Sequence, residues 1–154
     1  MNSFNFNTTP GIIFGNGVSI KSRDKIISKL GNNIFLITDP GLTKIGLNRP
    51  IIDDLSKYSN LEVFDDVESD PSKETLIKAF DKAKAFKPTG ILGFGGGSSM
   101  DIAKLVSMLF KFISIAEIQL LPNSTHFSSF FSSQICLKKL KITSSVLIEL
   151  SIIF

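Results

Sequence analysis

The sequence contains a single cysteine, Cys136, which excludes a disulfide framework and any CxxC metal motif. One thiol in 154 residues fits a reducing compartment. Because the N-terminus also lacks the basic start and apolar run of a secretory signal, we expect a cytoplasmic protein. The longest uncharged run, residues 118–137, is interrupted by Pro122, Asn123 and His126, so we expect no membrane partner.

An excess of one charge is also lacking, because 17 basic and 14 acidic residues leave a formal charge of only +3. The basic residues are scattered rather than arranged in a stripe, which argues against a nucleic-acid partner. A length of 154 residues suits one compact domain and is too short for the usual two-domain enzyme.

Glycine is missing from the last third of the chain, since all 11 glycines lie within the first 97 residues. Beyond residue 110 the chain is rich in Ile, Leu, Phe and Ser, without a sustained helix or strand period. We therefore predict an α/β domain over residues 1–110 and a divergent tail over residues 111–154. A hydrophobic helical pair docked on the first part is the alternative for the tail.

Strand-like and helix-like segments alternate over residues 1–110. Alternating Phe4 and Phe6, followed by residues 11–15, predict an N-terminal β-hairpin. The predicted strands are 33–38, 61–64 and 90–94. Four helices are predicted from apolar residues at helical spacing. The first spans residues 19–30, and the second turns Ile51, Ile52 and Leu55 inward. The third is capped by Asp70 and Pro71 and turns Leu76, Phe80 and Ala83 inward, and the fourth spans residues 98–110 with Ile102, Leu105, Val106 and Leu109 inward. This order predicts a Rossmann-like α/β fold, in which helices cover both faces of a parallel sheet.

The strongest local signal is the glycine-rich segment 93–101, between a predicted strand and a predicted helix. Glycines let a backbone approach a phosphate without Cβ clashes, and the free N–H groups of the first helical turn point at the anion. Ser98 is the predicted N-cap, and Asp101 is predicted to complete a capping box with it. A tight turn without a ligand is the alternative, because the segment is neither a GxGxxG motif nor a P-loop.

Asp39 follows the predicted strand NIFLIT, as the ribose-binding acid of a dinucleotide site does. It precedes the glycines, whereas the ordinary Rossmann fingerprint places this acid about 20 residues after them. The ordinary fingerprint is therefore excluded. An Asx-turn over residues 38–41 explains Asp39 on local grounds alone, so both roles stay open.

Several segments, taken in order, resemble the iron-containing (group III) alcohol dehydrogenases, whose relatives include glycerol dehydrogenases and dehydroquinate synthases. The segments are 12–17, 36–41 with Lys44 and Gly46, 70–71 and 95–104. The last of them, GGGSSMDIAK, is the most specific. The resemblance implies that this chain corresponds to the N-terminal, cofactor-binding portion of such an enzyme.

The resemblance also implies a dinucleotide partner, NAD. Asp39 would hold the adenine ribose hydroxyls and favour NAD over NADP, while the glycine loop would cradle the pyrophosphate. At Asp70 the family more often has Asn, which leaves a cofactor contact there open. The cofactor-binding residues implied by the resemblance are Asp39, Gly95, Gly96, Gly97, Ser98 and Asp101, with Lys104 in the same helix.

Members of the family continue into an all-helical domain whose Asp and His side chains bind iron or zinc. The metal polarises the alcohol oxygen so that hydride can leave for the nicotinamide. This chain has one histidine, His126, outside the matching segments. We therefore expect the all-helical metal domain to be missing, no metal-ligating or catalytic residue, no turnover, and a truncated or frameshifted chain.

Three functions stay open on the sequence. The first is an NAD-dependent alcohol dehydrogenase relative that has kept part of the NAD site and lost catalysis. The second is a truncated subunit or interaction protein that forms a homo-oligomer or pairs with a full-length homologue. The third is a relative of the glycerol dehydrogenase or dehydroquinate synthase type, although the sequence of residues 98–104 favours the dehydrogenase branch.

Overall fold

The computed structural model describes residues 11–119 and 150–152, and the surroundings of side chains for residues 11–112. The strands are β1 (Asn33–Ile37), β2 (Asn60–Phe64), β3 (Gly90–Phe94) and β4 (Leu150–Ile152). The helices are α1 (Val18–Lys21), α2 (Arg23–Leu30), α3 (Pro40–Ile45), α4 (Arg49–Leu55), α5 (Lys73–Phe86) and α6 (Gly97–Gln119). The strands form one sheet in the order β2-β1-β3-β4, and every neighbouring pair is parallel. The predicted parallel α/β fold is confirmed.

Two hydrophobic clusters cover the two faces of the sheet, because side chains alternate along the central strand β1. Phe35 and Ile37 pack with residues of α5 and α6, whereas Ile34 and Leu36 pack with residues of α2 and α4. All four are fully buried, and each such burial contributes about 1.5–3 kcal/mol. The prediction of helices on both faces is therefore confirmed.

The three predicted strands agree with β1, β2 and β3 to within one residue, but the predicted helix 19–30 is two helices. Ser22 separates α1 from α2, with backbone angles of φ −91° and ψ 6° that interrupt the helix. The buried residues Ile26 and Leu30 lie at helical spacing within α2. The sequence therefore predicted one continuous helix and did not reveal the break at Ser22.

Helix α3 has no predicted counterpart. It is six residues long and buries none of its side chains, so it carries no apolar periodicity that a sequence could reveal.

Helix α6 is longer than predicted and faces the core slightly differently. It runs to Gln119, through the predicted domain boundary at residue 110, which stays a prediction. Ile102 and Val106 are buried as expected. Leu105 is 38% exposed, contrary to the prediction, because Ala103 and Val106 occupy the core-facing stripe beside it.

The predicted cap of α5 is wrong. Ser72, not Asp70, is the N-cap, and its hydroxyl accepts a hydrogen bond from the Thr75 N–H at 3.2 Å. Asp70 lies two residues earlier in a left-handed conformation with φ 56°, where its carboxylate makes no hydrogen bond to the described part of the helix. Glu68 supports the cap instead, accepting from the Ser72 N–H at 2.9 Å and the Thr75 hydroxyl at 2.6 Å.

The predicted N-terminal hairpin falls partly outside the described residues, since Phe4 and Phe6 are not among them. Residues 11–14, which are described, belong to no strand. Ile12 and Phe14 are 88% and 98% exposed, so this stretch gains no burial from a partner strand within the described chain. His126, Cys136 and most of the predicted tail also lie outside the described residues. Among the helices that are described, none combines the length and apolarity needed to cross a membrane.

Candidate functional site

The carboxyl ends of the parallel strands lie at one edge of the sheet and bring distant parts of the chain together. Asp39 follows the end of β1, and Gly95 follows the end of β3. The alignment of β1 with β2 continues past the last strand residue, because the Thr38 N–H donates to the Phe64 carbonyl at 2.9 Å. In open α/β sheets this edge is where ligands bind.

Asp39 caps the short helix α3. Its backbone is extended, and its Oδ1 atom accepts a hydrogen bond from the Leu42 N–H at 3.0 Å. Pro40 follows at the first helical position, where the missing N–H costs nothing. Asp39 therefore has a local structural role, as the alternative of an Asx-turn implied, but capping α3 uses only one of its two carboxylate oxygens.

The second oxygen of Asp39 lies against Gly95. A Cβ atom on Gly95 would be 2.9 Å from Asp39 Oδ2, 3.0 Å from the Ser99 Oγ and 3.1 Å from a Leu42 methyl group. Gly95 also has φ +138°, a conformation that residues with side chains rarely adopt. Only glycine therefore allows the carboxylate and the loop to approach each other this closely.

Gly96 and Gly97 are exposed, and a Cβ on either would meet no atom within 4 Å. Helix α6 begins at Gly97, and its first backbone bond runs from the Met100 N–H to the Gly96 carbonyl at 3.2 Å. Gly96 thus occupies the cap position, and the prediction of Ser98 as N-cap is wrong. The N–H groups of residues 97–99 precede the first helical bond and have no acceptor within the helix.

The predicted capping box between Ser98 and Asp101 is also wrong, because the helix starts one residue before Ser98. Asp101 points outward with a side chain 70% exposed, and its Oδ1 lies 3.9 Å from Lys104 Nζ. This contact, one helical turn along, is a weak surface ion pair. The structure therefore brings Asp39 to the glycine loop and places Asp101 on the solvent side of α6.

Two buried hydroxyl groups at this edge were not singled out from the sequence. Thr38 and Ser99 are 0% and 1% exposed, and neither hydroxyl has a hydrogen-bond partner among the described residues. A buried hydroxyl without a partner costs about 1–3 kcal/mol. The sequence could have pointed to these two hydroxyl groups only through their positions, beside Asp39 and in the first turn of α6.

The chemistry available at this edge is recognition of an anion next to a hydroxyl group. Free N–H groups and the positive end of the 23-residue helix α6 suit a phosphate, and the open space around Gly96 and Gly97 lets it approach. A carboxylate suits a hydroxyl donor. Within the described residues no group of three or more His, Cys, Asp or Glu side chains could hold a metal ion, so these residues offer no place for iron or zinc.

Comparison with known proteins gives a consistent result. The sequence profile of the iron-containing alcohol dehydrogenases matches residues 9–128. The chain is 33% identical over 103 residues to the sulfoacetaldehyde reductase of Bilophila wadsworthia, covering 66% of this chain and 27% of that protein. It is 37% identical over 83 residues to the aldehyde-alcohol dehydrogenase 2 of Entamoeba histolytica, covering 52% of this chain and 10% of that protein.

Solved structures agree with the sequence comparisons. The NADH-dependent butanol dehydrogenase A of Thermotoga maritima matches with a TM-score of 0.60 and 29% identity, over 70% of this chain and 27% of that chain. The aldehyde reductase of E. coli matches with a TM-score of 0.59 and 30% identity, over 68% and 27%. The chain thus spans about a quarter of the length of the sulfoacetaldehyde reductase and of both solved structures, and a tenth of the Entamoeba protein. With most of its residues matched by one family profile, the chain belongs to the iron-containing alcohol dehydrogenase family.

Proposed function

We propose that this chain binds NAD at the carboxyl edge of its sheet, as the nucleotide-binding portion of an NAD-dependent alcohol dehydrogenase. The observation that supports this most directly is the approach of Asp39 Oδ2 to Gly95, beside the open N-terminus of α6. This approach places a carboxylate that can accept hydrogen bonds from ribose hydroxyls beside backbone N–H groups that can donate to a phosphate. An ADP group requires both.

Each residue has a distinct share in the proposed site. The N–H groups of Gly97 and Ser98 donate to the pyrophosphate, and the glycines keep the approach free of side chains. Asp39 Oδ2 accepts from the adenine ribose hydroxyls while Oδ1 continues to cap α3. Bound NAD supplies the nicotinamide as hydride acceptor, and the protein supplies binding and orientation.

The reaction partner in this proposal is an alcohol or aldehyde, since the relatives named above are dehydrogenases and reductases of such compounds. Substrate binding and hydride transfer belong to the whole enzyme, of which this chain spans about a quarter. The share that we assign to the described residues is nucleotide binding.

Titration of NADH into the purified chain, followed by calorimetry, tests the proposal. We expect saturable binding that weakens at least about tenfold in Asp39→Ala, which removes the hydroxyl acceptor, and in Gly97→Asp, which places a carboxylate at the phosphate position. Asp53→Ala on the exposed side of α4 is the matched control and should bind as the unaltered chain does. Failure of the unaltered chain to bind NADH, or equal binding by all variants, would contradict the proposal.

A second candidate function is pairing with a full-length dehydrogenase or with another copy of this chain. The large exposed fractions of Ile12 and Phe14 favour it, because neighbouring exposed apolar side chains are typical of interaction surfaces. Association with a full-length dehydrogenase in the absence of NAD binding would support this candidate. Loss of that association in an Ile12→Ser, Phe14→Ser variant would identify the surface.

A further inference from the structure

We propose that Ser99 is a positioning residue, whose hydroxyl group donates a hydrogen bond to Asp39 Oδ2 when the nucleotide is bound. This inference rests on the proposed function, because Asp39 is the residue that we expect to contact the ribose. It assigns a role to a buried hydroxyl group that the formation of α6 does not explain.

The first observation is the environment of the Ser99 hydroxyl group. Ser99 lies in the first turn of α6 and is 1% exposed, and its Oγ has no hydrogen-bond partner among the described residues. A serine within a helix commonly bonds back to a carbonyl group three or four residues earlier, and this serine makes no such bond. An unsatisfied buried hydroxyl group destabilises a folded chain. A purely structural role is therefore a poor explanation for this serine.

The second observation is the carboxylate oxygen that lies close to this hydroxyl group. A Cβ atom on Gly95 would be 2.9 Å from Asp39 Oδ2 and 3.0 Å from Ser99 Oγ. Because both oxygens lie about 3 Å from the same point, they are less than about 6 Å apart. Gly95 has no side chain to separate them. A hydroxyl group bonds to a carboxylate at about 2.5–2.7 Å, so rotation of the two side chains with a small shift brings donor and acceptor together.

The third observation is that the Asp39 carboxylate is held at one end. Oδ1 accepts from the Leu42 N–H at 3.0 Å, and no other hydrogen bond to the carboxylate is formed within the described chain. The last torsion of an aspartate side chain is broad, so a single bond leaves the plane of the carboxylate free to turn. A donor at Oδ2 fixes that plane, and the oxygen keeps a lone pair for a ribose hydroxyl. Fixing the acceptor in this way strengthens binding, because less has to be ordered when the nucleotide binds.

The start of α5 already contains the arrangement that we infer for α6. Thr75 is the third residue of α5, as Ser99 is the third residue of α6. The buried Thr75 hydroxyl donates to the carboxylate of Glu68, in the loop before the helix, at 2.6 Å. Thr75 thus has its acceptor in the folded chain, whereas Ser99 has none among the described residues. We therefore assign the Thr75 hydroxyl to stability and the Ser99 hydroxyl to nucleotide binding.

Thermal unfolding of the full chain is the first part of the test. Ser99→Ala should raise Tm by about 2–5 °C, because it removes an unsatisfied buried hydroxyl group. Thr75→Val should lower Tm, because it removes a satisfied one. Ser107→Ala, on the same helix, is the matched control for the higher helix propensity of alanine and should raise Tm less. A fall in Tm in Ser99→Ala would overturn the inference, because it would show a structural role.

Calorimetric titration of NADH is the second part of the test. Ser99→Ala should weaken binding about three- to tenfold, as expected for the loss of one hydrogen bond. Ser99→Thr keeps the hydroxyl group and should bind within about twofold of the unaltered chain. In an Asp39→Ala background, Ser99→Ala should change binding less than about twofold, because its acceptor is gone. Ser107→Ala should bind as the unaltered chain does.

The outcomes separate this inference from the proposed function. If the unaltered chain binds NADH and Ser99→Ala binds it equally well, the inference is overturned and the proposed function stands. The same holds if the loss in Ser99→Ala persists in full without Asp39. If the unaltered chain does not bind NADH, both are overturned. Ser99→Cys keeps the volume with a much weaker donor and gives the same comparison should Ser99→Ala unfold.

Discussion

Asp39 and Gly95 belong to different strand ends, and Asp39 Oδ2 lies only 2.9 Å from where a Cβ atom on Gly95 would be. The other oxygen of the same carboxylate caps α3 through the Leu42 N–H. One side chain therefore links the end of β1, the start of α3 and the glycine loop after β3. A substitution at any of these three places should therefore alter the structure at the other two.

Gly95→Ala should destabilise the fold by about 1–3 kcal/mol, because the new methyl group meets Asp39 and Ser99 and because φ +138° is strained for alanine. Urea denaturation measures the loss of unfolding free energy. We also expect weaker NADH binding, since Asp39 must move away. Gly96→Ala is the matched control, because a Cβ there meets nothing within 4 Å, and its unfolding free energy should change by less than about 1 kcal/mol. Equal stability of the two variants would refute the close approach.

Gly90→Ala should also destabilise the fold. A Cβ on Gly90 would lie 2.5 Å from Leu30 Cβ and 2.7 Å from the Leu30 Cα and carbonyl oxygen, so the backbone of α2 has to shift. Overpacking of this kind typically costs about 1–3 kcal/mol and sometimes more. Thermal unfolding measures it, with Gly11→Ala as a control at an open position. A melting temperature like that of Gly11→Ala would contradict the contact between β3 and α2.

Glu68 should make stability fall in acid. The hydrogen bond from the Thr75 hydroxyl, followed by that from the Ser72 N–H, lowers the pKa of Glu68 from 4.5 to about 2. Because the folded value is depressed, the stabilisation is complete above the ordinary value of 4.5 and is lost as pH falls toward about 2. Glu68→Gln should therefore unfold at a lower temperature than the unaltered chain at neutral pH. The gap should narrow in acid, and a gap that is constant with pH would show that the carboxylate charge is not involved.

Lys82 should protect the free edge of the described sheet. Asn60 and Phe64 form backbone bonds toward β1, so the alternation along β2 turns the Val63 carbonyl outward, where Lys82 Nζ donates to it at 2.6 Å. The same ammonium group lies 2.8 Å from Glu62. Charged groups on edge strands discourage pairing with other chains.

Lys82→Met is therefore expected to aggregate faster on heating, as followed by light scattering. Its unfolding free energy should drop by less than about 1 kcal/mol, because the ion pair is exposed. Lys78→Met, on the same helix, adds the same exposed methionine without opening the edge and should aggregate as the unaltered chain does. Aggregation at the same rate in both variants would show that edge protection is not the role of Lys82.

The alternation of strand-like and helix-like segments in this sequence was sufficient to predict the parallel α/β architecture. Continuous apolar runs identified β1 and β3, and helical spacing identified most of the buried positions of α2 and α4 and two of those of α6, Ile102 and Val106. These features follow from the local order of apolar and polar residues. The caps were less predictable. Asp70 and Ser98 are both good capping residue types, but Ser72 and Gly96 took these positions because the loop geometry before each helix fixed where the first turn begins.

The sequence by itself determined that a glycine-rich turn follows a buried strand and that an acidic residue ends another. It also carried the resemblance to iron-containing alcohol dehydrogenases in residues 95–104. Only the tertiary structure decided that β1 lies between β2 and β3, so that Asp39 after β1 meets Gly95 after β3. Parallel pairing joins segments far apart in the chain, and its order follows from how both faces of the sheet are buried together rather than from any local pattern.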